Sequence, residues 1–252
     1  MTELTVLSLA ALLAGFIDAV AGGGGMVQVP ALFAAMPAEL PATVFGTNKV
    51  SSILGTANAA WRYARRIGIP WRIAVPAAAA AFVSSFLGAM TVAWLAKEVV
   101  RPLVLALMIA VVTYTAMKPD FGRLSRRPLA VAKERWIAVA VGVVLGFYDG
   151  FFGPGAGSFM IFAFVGLFGM DFLEASSAAK VVNLATNAAA LTYFIPSGNV
   201  LWHIGLTMAV FNIAGAVLGT RLALRHGGGF VRWVFLTVSV ALVAKFGYDT
   251  FA

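Results

Sequence analysis

The sequence predicts an all-α polytopic membrane protein, folded as an inverted repeat of two five-segment helical units. Three observations predict it. The first is composition: hydrophobic residues make up 61% of the 252 residues, charged residues only 11%, and the mean hydropathy is +0.93. A soluble domain has about 45–50% apolar and about 25% charged residues, so lipid must solvate much of this chain. The second is that the apolar residues fall into ten runs separated by short links. The third is that the chain repeats itself. Gly15-Phe16-Ile17-Asp18, running into Gly22-Gly23-Gly24-Gly25, returns as Gly146-Phe147-Tyr148-Asp149, running into Gly153-Pro154-Gly155. One shift of 131 residues relates these stretches, and also Lys49 to Lys180, Trp71 to Trp202, Gly88 to Gly219 and Arg101 to Arg232.

The first run, 4–21, ends in Ala19-Val20-Ala21 and could pass for a cleaved signal peptide. It lacks a basic start and recurs internally, so it reads as a membrane segment. Runs follow at 26–36, 46–61, 73–95 and 99–117 in the first repeat, 1–117. The second repeat, 136–252, has runs at 136–152, 156–169, 175–195, 204–222 and 231–248. A full span needs about 20 residues, so the second run of each repeat is a half-helix or a broken continuation of the first. The total is about 8–10 transmembrane segments, two of them short or broken.

The links between runs carry the topology signal. Arg62, Arg65, Arg66 and Arg72 follow the third run, whereas the equivalent link, 196–201, is uncharged. Arg221, Arg225 and Arg232 flank the last link, whose equivalent (Lys97, Glu98, Arg101) is close to neutral. The linker 118–135 holds six basic residues against Asp120 and Glu134. Basic links face the cytoplasm, which places equivalent links of the two repeats on opposite sides; an odd number of crossings per repeat requires the same. The expected arrangement is a multi-pass protein of a bacterial inner membrane, with 118–135 cytoplasmic and both termini outside. The net charge of +8 belongs to these links and does not form a nucleic-acid stripe.

No cysteine is present, which excludes disulfides and thiol chemistry, and two isolated histidines, His203 and His226, make no metal centre. The sequence offers no nucleophile–base pair, so neither an enzyme nor a cofactor is expected. Its polar residues instead mark a binding site. Asp18 and Asp149 each lie near the end of an apolar run, where an ionisable group is costly and suggests gating or proton coupling. Alternatively, each merely holds its own glycine loop. Gly23, Gly24 and Gly25, and in the second repeat Gly153, Gly155 and Gly157, leave backbone N–H groups uncovered at two helix starts that suit an anion. Lys49 follows Thr47 and Asn48; Lys180 shares one helix face with Asn183 and Asn187 at i, i+3 and i+7 spacing. A two-fold axis in the membrane plane would bring both lysines and the bare amides into one electropositive pocket. The competing possibility is that each lysine snorkels to an interface or pairs with its own aspartate.

At these residues the chain resembles the sulfite exporter TauE/SafE family, also called the toluene sulfonate uptake permeases, and most closely its YfcA-type branch. The likeness covers essentially the whole chain. It is carried by the two Asp-to-glycine stretches, by Val29-Pro30-Ala31-Leu32, by Gly46-Thr47-Asn48-Lys49, by Gly157-Ser158-Phe159, and by Ala179-Lys180 with Asn183 and Asn187. The resemblance implies a secondary transporter of sulfur-containing anions such as sulfite or sulfonates. Residues and resemblance together predict alternating-access transport of a small anion, with the lipid bilayer as surroundings; a homodimer is left open. Two alternatives remain: a proton or cation pathway along Asp18 and Asp149, and a membrane scaffold that transports nothing.

Overall fold

The computed structural model describes residues 2–95 and 131–251, together with Val99 and Ala106. The described residues form eight helices and no strand: α1 Thr2–Ala21, α2 Gly25–Ala35, α3 Pro41–Arg66, α4 Trp71–Ala93, α5 Val131–Phe151, α6 Ala156–Phe168, α7 Phe172–Phe194 and α8 Trp202–Phe251. An all-helical answer follows from the solvent: in hydrocarbon each backbone N–H and C=O must be satisfied within its own segment. Most of the fifth predicted run, 99–117, and most of the linker lie outside the described residues. The linker's last five residues are helical, forming the first turn of α5, because Lys133, Glu134 and Arg135 extend that helix past its apolar part.

Among the described residues three helices are both long and apolar enough to cross a membrane: Glu3–Ala21, Trp71–Ala93 and the first limb of α8, Trp202–Gly227. At Gly227 φ is +78°, and the helix breaks into the two limbs expected from the last two runs. α3 is longer than its predicted 46–61. Pro41 sits at its first turn, where the missing N–H costs nothing, and the 26 residues reach about 39 Å.

The two short helices double back. Leu7 and Ala11, early in α1, share an apolar cluster with Leu32 and Met36 at the end of α2. Ala138 and Val141, early in α5, share another with Phe164, Val165 and Phe168 late in α6. Each pair is therefore a helical hairpin turning at glycine. The bases of the two hairpins pack near opposite ends of α3. The first shares its cluster with Val44 and Leu201, near the starts of α3 and α8. The second packs with Ile73 and Ala74, where α4 begins after α3 has ended.

Packing recurs at the 131-residue shift. α1 lies on α8 and α5 on α4; α8 also lies on α3 and α4 on α7; α3 and α7 pack on each other. Small residues let backbones touch at matching places. A Cβ on Gly15 would stand 2.1 Å from the Asn212 carbonyl oxygen, and one on Gly146 would stand 2.5 Å from the Ala81 Cα. Likewise Gly88 abuts Phe147, and Gly219 abuts Phe16.

Candidate functional site

The two hairpin tips meet in the interior. Gly22, at φ +81°, faces Gly157 so closely that a Cβ on Gly22 would stand 2.4 Å from the Gly157 carbonyl carbon. The Ser158 N–H donates to the Gly22 carbonyl at 3.1 Å, and the Ser158 hydroxyl donates to the Ala21 carbonyl at 2.8 Å. Gly153 and Gly155 carry φ of +92° and +80°, a conformation that favours glycine, and they turn the chain from α5 into α6. Several N–H groups at the tips are engaged within the protein: that of Gly153 donates to the Tyr148 carbonyl, that of Ser158 serves the opposite hairpin, and those of Met26, Val27 and Gln28 turn back onto Gly23 and Gly24.

α3 and α7, the polar helices, bring the lysines to these tips, and the pairing crosses between halves. The Lys49 Nζ lies 2.8 Å from Asp149 Oδ1, and the Lys180 Nζ lies 2.9 Å from Asp18 Oδ2. Neither lysine snorkels, and neither pairs with the aspartate of its own half. Lys180 also donates to the main-chain carbonyl of Asp18. Asp149 accepts further bonds from Asn183 Nδ2 at 3.0 Å and from the Thr186 hydroxyl. Asp18 has a longer contact of 3.4 Å from the Thr56 hydroxyl. Its side chain is 18% exposed, against 3% for Asp149.

Both aspartates, Lys49, Asn48, Ser52, Asn183, Asn187, Asn212 and five glycines (22, 24, 25, 153 and 157) line a cavity of about 30 Å³. That is room for about two waters. The predicted electropositive pocket is thus charge-balanced, because each lysine meets a carboxylate. Asn48 is buried with its Oδ1 unpartnered. Not every predicted residue faces the cavity. The Thr47 hydroxyl donates to Thr43 O and accepts from the Leu201 N–H at 3.0 Å, tying α3 to the start of α8. Gly23 and Gly155 shape the turns without lining the space, and Lys180 reaches it only through Asp18, which does line it.

Sequence reasoning missed Asn212. It is buried in the first limb of α8, lines the cavity and donates to Gln28 Oε1 at 3.1 Å. A lone amide inside an apolar span was the available signal. Among the described residues no cluster of His, Cys, Asp and Glu could hold a metal ion.

Comparison with known proteins gives the family. The model of the family "Sulfite exporter TauE/SafE" matches residues 7–246. The "Probable membrane transporter protein YfcA" of Escherichia coli K12 is 37% identical over 247 residues, 98% of this chain and 90% of that protein. "Probable membrane transporter protein ORF9" of a Sinorhizobium species is 35% identical, over 96% and 91%. A "Probable membrane transporter protein" of Haemophilus influenzae is 33% identical, over 98% and 95%. No solved structure matches the chain. These relatives are transporters rather than enzymes, and the chain belongs to the sulfite exporter TauE/SafE family of membrane proteins.

Proposed function

We propose that the protein is a secondary transporter of a small anion, with sulfite, sulfonates or related sulfur oxyanions as the substrate class. The observation that carries this is the crossing of two buried lysine–aspartate pairs at a small cavity where two hairpin tips touch. Lys49 and Lys180 supply the opposite charge that an anion needs inside a bilayer. Asn48, Asn183 and Asn187 supply amide donors, and the cavity-lining glycines let the backbone approach. Asp18 and Asp149 organise or gate the site, since an anion reaches the Lys180 ammonium only when the Asp18 carboxylate lets go. Asp149 is surrounded by donors, which suits a fixed anion and leaves no acceptor shell for a passing cation.

The cavity, with room for about two waters, must open before an oxyanion enters. Hairpins based near opposite ends of α3 suit alternating access, in which one repeat rocks against the other as an inverted pair, 1–117 against 136–252. Charge supports the orientation. Arg62, Arg65 and Arg66 close α3, Arg72 opens α4, and Arg72 lies 3.9 Å from Glu134 beside Lys133 and Arg135. Tyr63 shares a cluster with Ala223, between Arg221 and Arg225, so these basic residues gather at one end. In this reading that end faces the cytoplasm across a bacterial inner membrane, as does the linker 118–135, and both termini lie outside.

Ligand binding to the folded state raises apparent stability, so the purified protein should melt higher in the presence of its anion. The screen covers sulfite, sulfate, thiosulfate, short sulfonates and carboxylates, followed by flux in proteoliposomes. Lys49→Ala and Lys180→Ala should each cut flux of the stabilising anion by about tenfold or more, since truncating one member of a buried pair costs about 2–5 kcal/mol. Unchanged flux in both variants would remove the lysines from the mechanism.

A further inference from the structure

The four charges of the two ion pairs sum to zero, and both ammonium groups already hold carboxylates. An arriving anion therefore finds no unengaged cation among them. An anion that takes a lysine from its carboxylate brings the buried site to a net negative charge, which low dielectric penalises. A proton added to the released carboxylate cancels that charge.

The two carboxylates are not equally ready to release. Asp149 is held by Lys49, Asn183 and Thr186 and is sealed from solvent. Asp18 is more exposed, and its second side-chain donor, Thr56, is 3.4 Å away. Lys180 has a further bond to the main-chain carbonyl of Asp18, so the ammonium stays in place when the carboxylate leaves it.

We infer that Asp18 is the proton carrier of the transport cycle, while Asp149 stays ionised throughout as the fixed partner of Lys49. This rests on the anion-transport reading and deepens it. A proton from the aqueous phase adds to an Asp18 carboxylate oxygen. The Lys180 N–H bond to that oxygen is exchanged for one to a substrate oxygen. On the other side the anion leaves, the proton returns to water and the ion pair re-forms. A monovalent anion thus moves together with one proton and no net charge. The groups that face Asp18 are consistent with this. Lys180 comes from α7 and Thr56 from α3, Tyr63 of α3 is within electrostatic reach, and Lys49 of α3 and Asp149 of α5 share the cavity. α6 and α8 contribute only Gly157 and the neutral Asn212 to the cavity.

The test uses the full chain in proteoliposomes with a trapped pH dye. Methanesulfonate is the first probe and sulfate the second, because neither changes charge over the neutral range. In wild type, an inward methanesulfonate gradient should acidify the lumen with one proton per anion. Asp18→Asn should lose that acidification and all uphill accumulation, keeping only a reduced anion exchange; Asp18→Glu should restore the proton ratio. Wild-type flux without acidification overturns the inference whether or not Asp18→Asn folds, and so does Asp18→Asn that still carries one proton per anion. If wild-type protein neither binds nor moves any anion of the screen, the transport reading itself fails and the inference falls with it.

Discussion

Lys49–Asp149 and Lys180–Asp18 occupy equivalent places in the 131-residue register, yet their surroundings differ. Around Asp149, α7 supplies Asn183 and Thr186. The positions equivalent to these two are Ser52 and Gly55, so Asp18 lacks the same donors. The polarity has moved to the facing helix: Asn212 of α8 packs against Gly55, whereas its equivalent, Ala81 of α4, is apolar. Asn212 bonds Gln28 and not the acid, and the position equivalent to Gln28 is Phe159. The helix packing recurs while the chemistry has diverged. One carboxylate is fully held and the other is left able to change partners.

The largest expected effect breaks that contrast directly. Asp149→Ala strands Lys49 in the interior and should cost about 3–5 kcal/mol, the usual cost of orphaning one member of a buried pair. Asp18→Ala leaves Lys180 its bond to the main-chain carbonyl, so the cost should be smaller, about 1–3 kcal/mol. Unfolding of the detergent-solubilised variants measures both, and equal losses would dissolve the distinction between the pairs.

A middle-sized effect sharpens the packing side. A Cβ on Gly55 would stand 1.9 Å from Asn212 Oδ1, so Gly55→Ala must push that amide off Gln28. The expected loss is about 1–3 kcal/mol. Combining it with Asn212→Ala should show a coupling of about 1 kcal/mol or more in a double-mutant cycle. Strict additivity would mean that the amide does not depend on the bare glycine.

The smallest effect sets the floor for comparison. Arg72 is 68% exposed and 3.9 Å from Glu134, so Arg72→Ala should change stability by about 0.5 kcal/mol or less. A loss rivalling that of Asp18→Ala would show that burial is not what separates these pairs.

Much of this was legible in the sequence. The 131-residue register brought out both lysines, both acids and the glycine tips, because duplicated chemistry leaves duplicated spacing. The pairing partner was not legible. Internal repetition says which residues are equivalent, but not that a carboxylate meets the lysine of the other half. Thr47 was misread for a simpler reason. It precedes Asn48 in sequence, but a helix turns about 100° per residue, which aims Thr47 at Leu201 and away from the cavity. The ends of α3 were hidden because Pro41 reads as a break and Arg62, Arg65 and Arg66 read as a link, although both stretches continue the helix. Asn212 escaped because the register offered no second polar residue to draw attention to it.

Crossed pairing also has a consequence for how the chain is made. Synthesis delivers the N-terminal half first, so Lys49 and Asp18 enter the bilayer before Asp149 and Lys180 have been translated. Their final partners arrive only with α5 and α7. The last of the four charges is therefore neutralised late in insertion, and the nascent first half must shelter its own unmatched pair until the ribosome has passed residue 180.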